Sequence, residues 1–189
     1  MNLIDRVKNI LLTPKTEWDV INTETVTPQS LLISYVLPLA VVSAIGPLLS
    51  GFLFPGVMGL NFFLTTAIIA FVSTVISYYA SVYIIDLLAP NFGSEKDLNK
   101  SAQLVAYSTT PSFIAGLLSF IPVIGGLLRF AAWAYSIYVM YLGLSPLKKT
   151  PEDKKIVYLV VAFIVTIAVM MVVSAILGSV LLTSAAMGY

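Results

Sequence analysis

The chain contains no cysteine and no histidine among its 189 residues. The absence of cysteine excludes disulfide bonds, thiol catalysis and thiolate metal sites. The absence of histidine removes the commonest acid–base residue and the commonest metal ligand. The sequence also shows no paired carboxylates, no glycine-rich phosphate loop and no nucleophile–base set. We therefore expect no catalytic residue, no metal site and no cofactor.

Charged residues are also scarce. Charged residues make up 10% of the chain and hydrophobic residues 59%, with a mean hydropathy of +0.97, whereas soluble domains are about a quarter charged. The charges fall in three islands, residues 1–29, 95–100 and 148–155, and the only others are Asp86 and Arg129. A net charge of +1 gives no basis for nucleic-acid binding. This composition predicts an all-α, polytopic membrane helix bundle.

Apolar stretches between the islands are long enough to cross a bilayer, which takes roughly 20 residues for about 30 Å of hydrocarbon. The sequence predicts a short N-terminal segment, residues 1–29, followed by a five-helix membrane domain over residues 30–189. The predicted transmembrane helices cover residues 30–54, 60–88, 102–121, 127–144 and 156–183. Because the third and fourth are short and share an apolar turn, a re-entrant pair is the alternative there.

The distribution of Lys and Arg predicts the orientation. Nine of the ten basic residues lie in the N-terminal segment and in the second and fourth connections, which alternate in side if the chain crosses five times. Basic loops stay in the cytoplasm. We therefore expect a multi-pass protein of the plasma or inner membrane, with a cytoplasmic N-terminus and the C-terminus outside. A re-entrant pair leaves the same loops on the same side, so this rule does not distinguish the alternatives.

The N-terminal segment is predicted to form two short amphipathic helices at the membrane interface. Arg6 lies on the predicted polar face of the first helix, Pro14 ends that helix, and Thr16 caps the second. Trp18 suits the headgroup belt. These helices either pack only against the bundle or form a recruiting surface for a partner or a lipid.

Ionisable groups at membrane depth are functional candidates. Asp86 is expected at the end of the second span, where it reaches water, and Arg129 is expected to extend its side chain to the headgroups. A direct pair between them is not expected, since they lie near opposite faces of the membrane. Small-residue spacing at Ser73, Ser77 and Ser81 predicts close helix contacts, including self-association. The same spacing recurs at Ser112 and Gly116, at Ala132 and Ser136, and at Ser174 and Gly178.

Two motifs carry a family resemblance. Residues 6–24, RVKNILLTPKTEWDVINTE, contain the core Pro14, Glu17 and Trp18, and residues 106–111, AYSTTP, contain the spacing Tyr107-x-x-x-Pro111 ahead of a Pro/Gly turn. Together they resemble the prokaryotic members of the Yip family. The resemblance implies five helices, a cytoplasmic N-terminus and no enzymatic activity. Eukaryotic members bind Rab GTPases and one another, but their long cytoplasmic N-terminal region has no counterpart here.

The function expected first is a non-enzymatic membrane protein that organises the membrane or partner proteins. Its expected partners are the lipid bilayer, other membrane proteins and further copies of the chain, and its candidate partner-binding residues are Pro14, Glu17 and Trp18. The alternative is a transporter or channel with a site at the broken third span. For that alternative the candidate residues are Asp86, Tyr107, Thr110, Pro111 and Arg129. A membrane-embedded enzyme that uses Asp, Lys, Tyr and Ser is the third hypothesis.

Overall fold

The computed structural model describes residues 2–53, 60–121 and 123–186, with the side chains of residues 60–63, 65–67 and 173–186 left out of the description. Within these residues the regular structure is helical throughout, without a strand. This agrees with the all-α prediction. The predictions that concern residues 54 and 122 and the last three residues fall outside the described residues.

Two short helices begin the chain. Helix α1 covers Leu3–Leu12, and the side chain of Asn2 caps it by accepting a hydrogen bond from the Asp5 backbone N–H at 2.8 Å. Helix α2 covers Pro14–Thr23 and begins directly at the proline. The prediction that Thr16 caps α2 is wrong, because proline is favoured in the first helical turn, so that α2 begins two residues earlier and Thr16 lies inside that turn.

Four long helices follow the predicted spans closely. Helix α3 covers Pro28–Leu53 and contains a π-helical stretch, and helix α4 covers Leu60–Leu88. Helix α7 covers Ile124–Lys148 and helix α8 covers Lys155–Ala186. Within the described residues, four helices are long and apolar enough to cross a bilayer.

The predicted third span is divided. Helix α5 covers Leu98–Ser108, helix α6 covers Thr110–Leu117, and a 3-10 turn covers Leu118–Phe120. Neither helix alone has the roughly 20 residues that a crossing needs. The division falls just ahead of Pro111, which has no backbone N–H to continue the helix. The third predicted span is thus a broken helix, and the number of crossings stays a prediction.

The three charged islands lie together at one end of the bundle, here called the charged end. The Lys100 Nζ donates to the Asn22 carbonyl at 2.6 Å, which joins the first island to the second. The Glu95 N–H donates to the Lys148 carbonyl at 2.8 Å, and the Lys149 ammonium lies 2.6 Å from the Glu95 carboxylate. The turn before α7 lies at the opposite, uncharged end.

Small residues bring α3, α6 and α7 close together. A Cβ added to Gly46 would lie 2.1 Å from the Gly116 carbonyl oxygen, and the hydroxyls of Ser112 and Ser136 are 3.0 Å apart. Three of the predicted small-residue positions, Ser112, Gly116 and Ser136, are therefore confirmed as packing positions. Ser174 and Gly178 lie outside the described side chains.

Candidate functional site

Arg6 is the centre of a buried polar cluster that joins α1 to α2. Its side chain is 6% exposed, and its guanidinium pairs with the carboxylates of Glu17 and Glu24. The second Glu17 oxygen accepts a hydrogen bond from the Asn9 amide at 3.0 Å. The prediction that Arg6 lies on a solvated polar face is wrong, because Arg6 and Ile10 are one helical turn apart and both face inward. The four-residue spacing from Arg6 to Ile10 was a sequence signal that Arg6 faces inward, but the sequence did not reveal the partners of Arg6.

The same guanidinium connects the N-terminal segment to α5. Its carbon lies 5.1 Å from the centre of the Tyr107 ring, within the range of a cation–π interaction. Tyr107 makes edge-to-face contacts with Trp18, at 6.3 Å between ring centres, and with Tyr35 of α3, at 4.7 Å. We call this cluster of Arg6, Glu17, Trp18, Glu24, Tyr35 and Tyr107 the Arg6 junction. The two motifs of the sequence therefore meet in one place, although about 90 residues separate them.

Trp18 anchors α2 on α7. Its ring is fully buried, and its indole N–H donates to the Val139 carbonyl at 3.0 Å. Gly143 makes room for the ring, since an added Cβ would lie 2.7 Å from the indole and 2.6 Å from Leu104. The expectation that Trp18 lies in the headgroup belt is wrong, because the indole packs inside the protein and its N–H is already used there. Pro14 and Glu17 are buried beside it.

The carbonyl end of α2 is held by side chains of α5. The Gln103 amide donates to the carbonyls of Ile21 and Glu24 at 3.1 and 3.0 Å, and Lys100 donates to that of Asn22. These bonds satisfy carbonyls that a helix end leaves free. Burial lowers the pKa of the Lys100 ammonium, against the opposing effects of Asp97 and Glu24. The N-terminal segment is thus fastened to α5 and α7 by packing and by hydrogen bonds.

The break between α5 and α6 satisfies its own polar groups. The Thr110 hydroxyl donates to the Tyr107 carbonyl at 2.7 Å and lies 2.7 Å from the Tyr35 hydroxyl. The Thr109 hydroxyl reaches the Val105 carbonyl at 3.1 Å. Pro111, also buried, needs no partner for its nitrogen. Tyr107 and Thr110 therefore belong to the protein interior, where their polar atoms hold α3 against the break.

Asp86 forms a second buried cluster at the charged end. Its carboxylate lies 3.2 Å from the ammonium of Lys148, which is fully buried, and 3.1 Å from the Ser101 hydroxyl. Lys148 also donates to the Asp97 carbonyl at 3.1 Å and to Ser101 at 2.7 Å. The expectation that Asp86 reaches water is wrong, because Lys148 offsets its charge inside the protein. The role of Lys148 was missed because it is one of four lysines between residues 148 and 155, and such a basic connection is expected to set the membrane topology.

Arg129 lies apart from these clusters, at the uncharged end. Its side chain is exposed and borders a cavity of about 130 Å³, together with Ser43, Thr74 and Ser119. It does not pair with Asp86, as expected. Within the described residues, no group of three or more acidic side chains, the only candidate ligands here, is arranged to hold a metal ion.

Comparison with known proteins gives one finding at the level of family. The sequence profile described as the Yip1 domain matches residues 8–183, which is nearly the whole chain. No curated protein and no solved structure matches the chain significantly. The match covers the whole of the second motif and all of the first except residues 6 and 7, so it includes every residue of the Arg6 junction except Arg6 itself.

Proposed function

Because this chain belongs to the Yip1 domain family, which confirms the resemblance at the level of the family, we propose that it is a non-enzymatic membrane protein that organises partner proteins at the membrane. The observation that supports this proposal is the Arg6 junction. It makes the N-terminal segment a fixed layer over the charged end of the bundle. A surface with a fixed shape suits recognition, because little conformational entropy is lost when a partner binds.

The outer face of α1 is the proposed docking surface for a membrane protein partner. Ile4 is 76% exposed and Leu12 68% exposed, and Lys8 lies between them on the same face. The spacing of four residues aligns these three side chains along the helix. Exposed apolar residues grouped on one face are typical of a surface that binds a protein or a membrane.

A photo-reactive amino acid placed in native membranes tests this docking surface. At positions 4 and 12 we expect a discrete protein adduct, and at the control position Lys154, in the exposed fourth connection, we expect none. Deletion of the segment is not a clean test, because it removes Trp18 from the core. Adducts with lipid alone at positions 4 and 12, or the same adducts at position 154, would contradict a docking role.

The proposal includes five crossings of the plasma membrane, with the charged end on the cytoplasmic side. Residues 98–120 rise by about 34 Å at 1.5 Å per residue, enough for a hydrocarbon core of about 30 Å. The far end of this segment packs against Gly46, which lies in the second half of α3, away from the charged end. Both observations favour full crossings over a re-entrant pair.

The absence of cysteine makes this topology easy to test. Val123, which is 81% exposed, is expected to react from outside the cell with an impermeant maleimide once it is replaced by cysteine. A cysteine at Lys96 is expected to react only after permeabilisation. Reaction of both positions from the same side would contradict the five-crossing topology.

Transport is the second candidate function, because a cavity of about 260 Å³ lies beside the helix break. Ser73, Ser77, Thr109 and Ser112 border it. Two of the predicted transport residues, Tyr107 and Thr110, face the Arg6 junction instead. Flux of a small solute into liposomes that contain the purified protein, lost when Ser112 is replaced by leucine, would favour transport over the organising role.

A further inference from the structure

Arg129 has no acidic side chain with which to pair. All nine Asp and Glu residues of the sequence lie in the charged islands or at position 86. The structure places these groups at the charged end, where Asp86 pairs with Lys148. Arg129 lies near the start of α7, at the opposite end of the bundle. No acidic side chain of this protein neutralises its guanidinium, which is exposed and can pair with an anion from outside the protein.

The cavity beside Arg129 offers hydroxyl groups for such a counter-charge. Ser43 of α3 and Ser119 of the 3-10 turn border it, and neither hydroxyl has a hydrogen-bond partner among the described residues. Hydroxyl groups and a guanidinium together are the donors that commonly bind phosphate oxygens. The lining is thus suited in chemistry to a phosphate group.

This cavity continues into the larger one beside the helix break. Ala70 and Thr74 of α4 border both cavities, which together form a cleft with α4 on one side and α3 and the α5–α6 pair on the other. The cleft extends along α4 as far as Tyr78 and Ser81. Arg129 borders its other end.

We propose that this cleft binds one anionic phospholipid, with its phosphate at Arg129 and an acyl chain along α4 toward Tyr78. Between its hydroxyl groups the cleft is lined by the apolar side chains of Val36, Val105 and Phe113, which suit a hydrocarbon chain. Ala70, which borders both cavities, is exposed, so the cleft is open to the surface of the bundle. A soluble anion would use the guanidinium and leave the rest of the cleft unoccupied. A lipid uses both parts.

The fluorescence of Trp133 can report on lipid bound beside Arg129. It lies four residues after Arg129, on the same side of α7, and is 49% exposed. The other tryptophan, Trp18, is fully buried at the far end of the protein, so a brominated lipid chain is expected to quench Trp133 alone. The full-length protein is reconstituted in phosphatidylcholine vesicles that contain either brominated phosphatidylglycerol or brominated phosphatidylcholine.

We expect brominated phosphatidylglycerol to compete for the site about fivefold or more better than brominated phosphatidylcholine. Arg129→Gln is expected to abolish this preference, and Arg129→Lys, which keeps the charge, to retain most of it. Lys154→Gln, an exposed cation at the charged end, is the matched control and leaves the preference unchanged. Equal quenching by the two lipids, or an unchanged preference in Arg129→Gln, would overturn the proposal.

Two further experiments distinguish a bound lipid from other occupants of the cleft. Ala70→Leu fills the cleft and is expected to reduce the quenching by brominated phosphatidylglycerol, whereas Ala134→Leu, at an exposed position of α7 outside the cleft, is not. Inorganic phosphate added at 10 mM, about a tenfold excess over a weak millimolar site, is expected not to restore the fluorescence. Restoration by phosphate would show a soluble-anion site, and equal effects of the two leucine variants would show that no chain occupies the cleft.

Discussion

Removal of the Arg6 charge is the sharpest perturbation of the N-terminal segment. Arg6→Met keeps the length and apolar character of the side chain but leaves the carboxylate of Glu17, 5% exposed, without its cation. Loss of one partner from a buried pair costs about 3–5 kcal/mol. The second carboxylate, Glu24, is 30% exposed and adds little to that cost, because water screens it.

This cost falls on the attachment of the segment rather than on the whole bundle. A loss of about 3 kcal/mol raises the constant for local opening roughly a hundredfold. Amide hydrogen exchange of the protein in lipid nanodiscs measures that constant directly. Protection of residues 3–23 is expected to fall about a hundredfold in Arg6→Met, while protection of α8 is expected to stay constant.

Two further variants test whether the loss of protection comes from the unpaired Glu17 carboxylate. Arg6→Met combined with Glu17→Gln removes both charges and is expected to recover protection to within about 1–2 kcal/mol of the native protein. Lys8→Met removes an exposed cation from the same helix and is expected to change protection by less than about 0.5 kcal/mol. Equal losses in Arg6→Met and Lys8→Met, or a double variant as unstable as the sum of its parts, would refute the buried-pair account.

Three other predictions follow from particular contacts. Gly143→Ala is expected to destabilise the attached segment by about 1–3 kcal/mol in the same exchange experiment, because the new methyl overlaps the indole, whereas Gly126→Ala, with open space around it, is expected to be neutral or stabilising. Asp86→Asn is expected to lower the free energy of unfolding in mixed micelles by about 3–5 kcal/mol, and addition of Lys148→Met to recover most of that loss. A hydrogen bond from Lys155 lowers the pKa of Glu152 below its usual 4.5. The stabilisation from this pair is therefore complete above pH 4.5 and is lost as the pH falls through the lower pKa of the folded state. Glu152→Gln is expected to remove this pH dependence from a profile of stability against pH.

Local sequence patterns were sufficient where local physics decides the structure. The long apolar run at residues 60–88 predicts α4 and its end at Leu88, because an unbroken run in lipid must satisfy its backbone as a helix. The broken third span was also visible, since Pro111 interrupts an apolar stretch. The exact division at Thr109 was not, because it depends on side-chain bonds within that turn.

Long-range partners account for what the sequence did not reveal. Periodicity predicts that residues 3–12 form an amphipathic helix, but it does not distinguish a face that packs on lipid from one that packs on protein. Trp18 meets a carbonyl 121 positions away, and Lys148 meets an acid 62 positions away. Neither pairing leaves a trace in the composition near these residues. The Arg6 junction therefore becomes recognisable only once the fold brings the two motifs together.

The accessibility of Trp18 in a bilayer tests the Arg6 junction most directly. In Trp133→Phe, Trp18 is the only tryptophan of the chain. Its fluorescence is expected to resist quenching both by acrylamide in the water and by brominated lipids, and Arg6→Met in the same background is expected to make it accessible. Strong quenching of Trp18 by brominated lipids in the protein with native Arg6 would show that the N-terminal segment lies on the membrane surface, and it would contradict the junction.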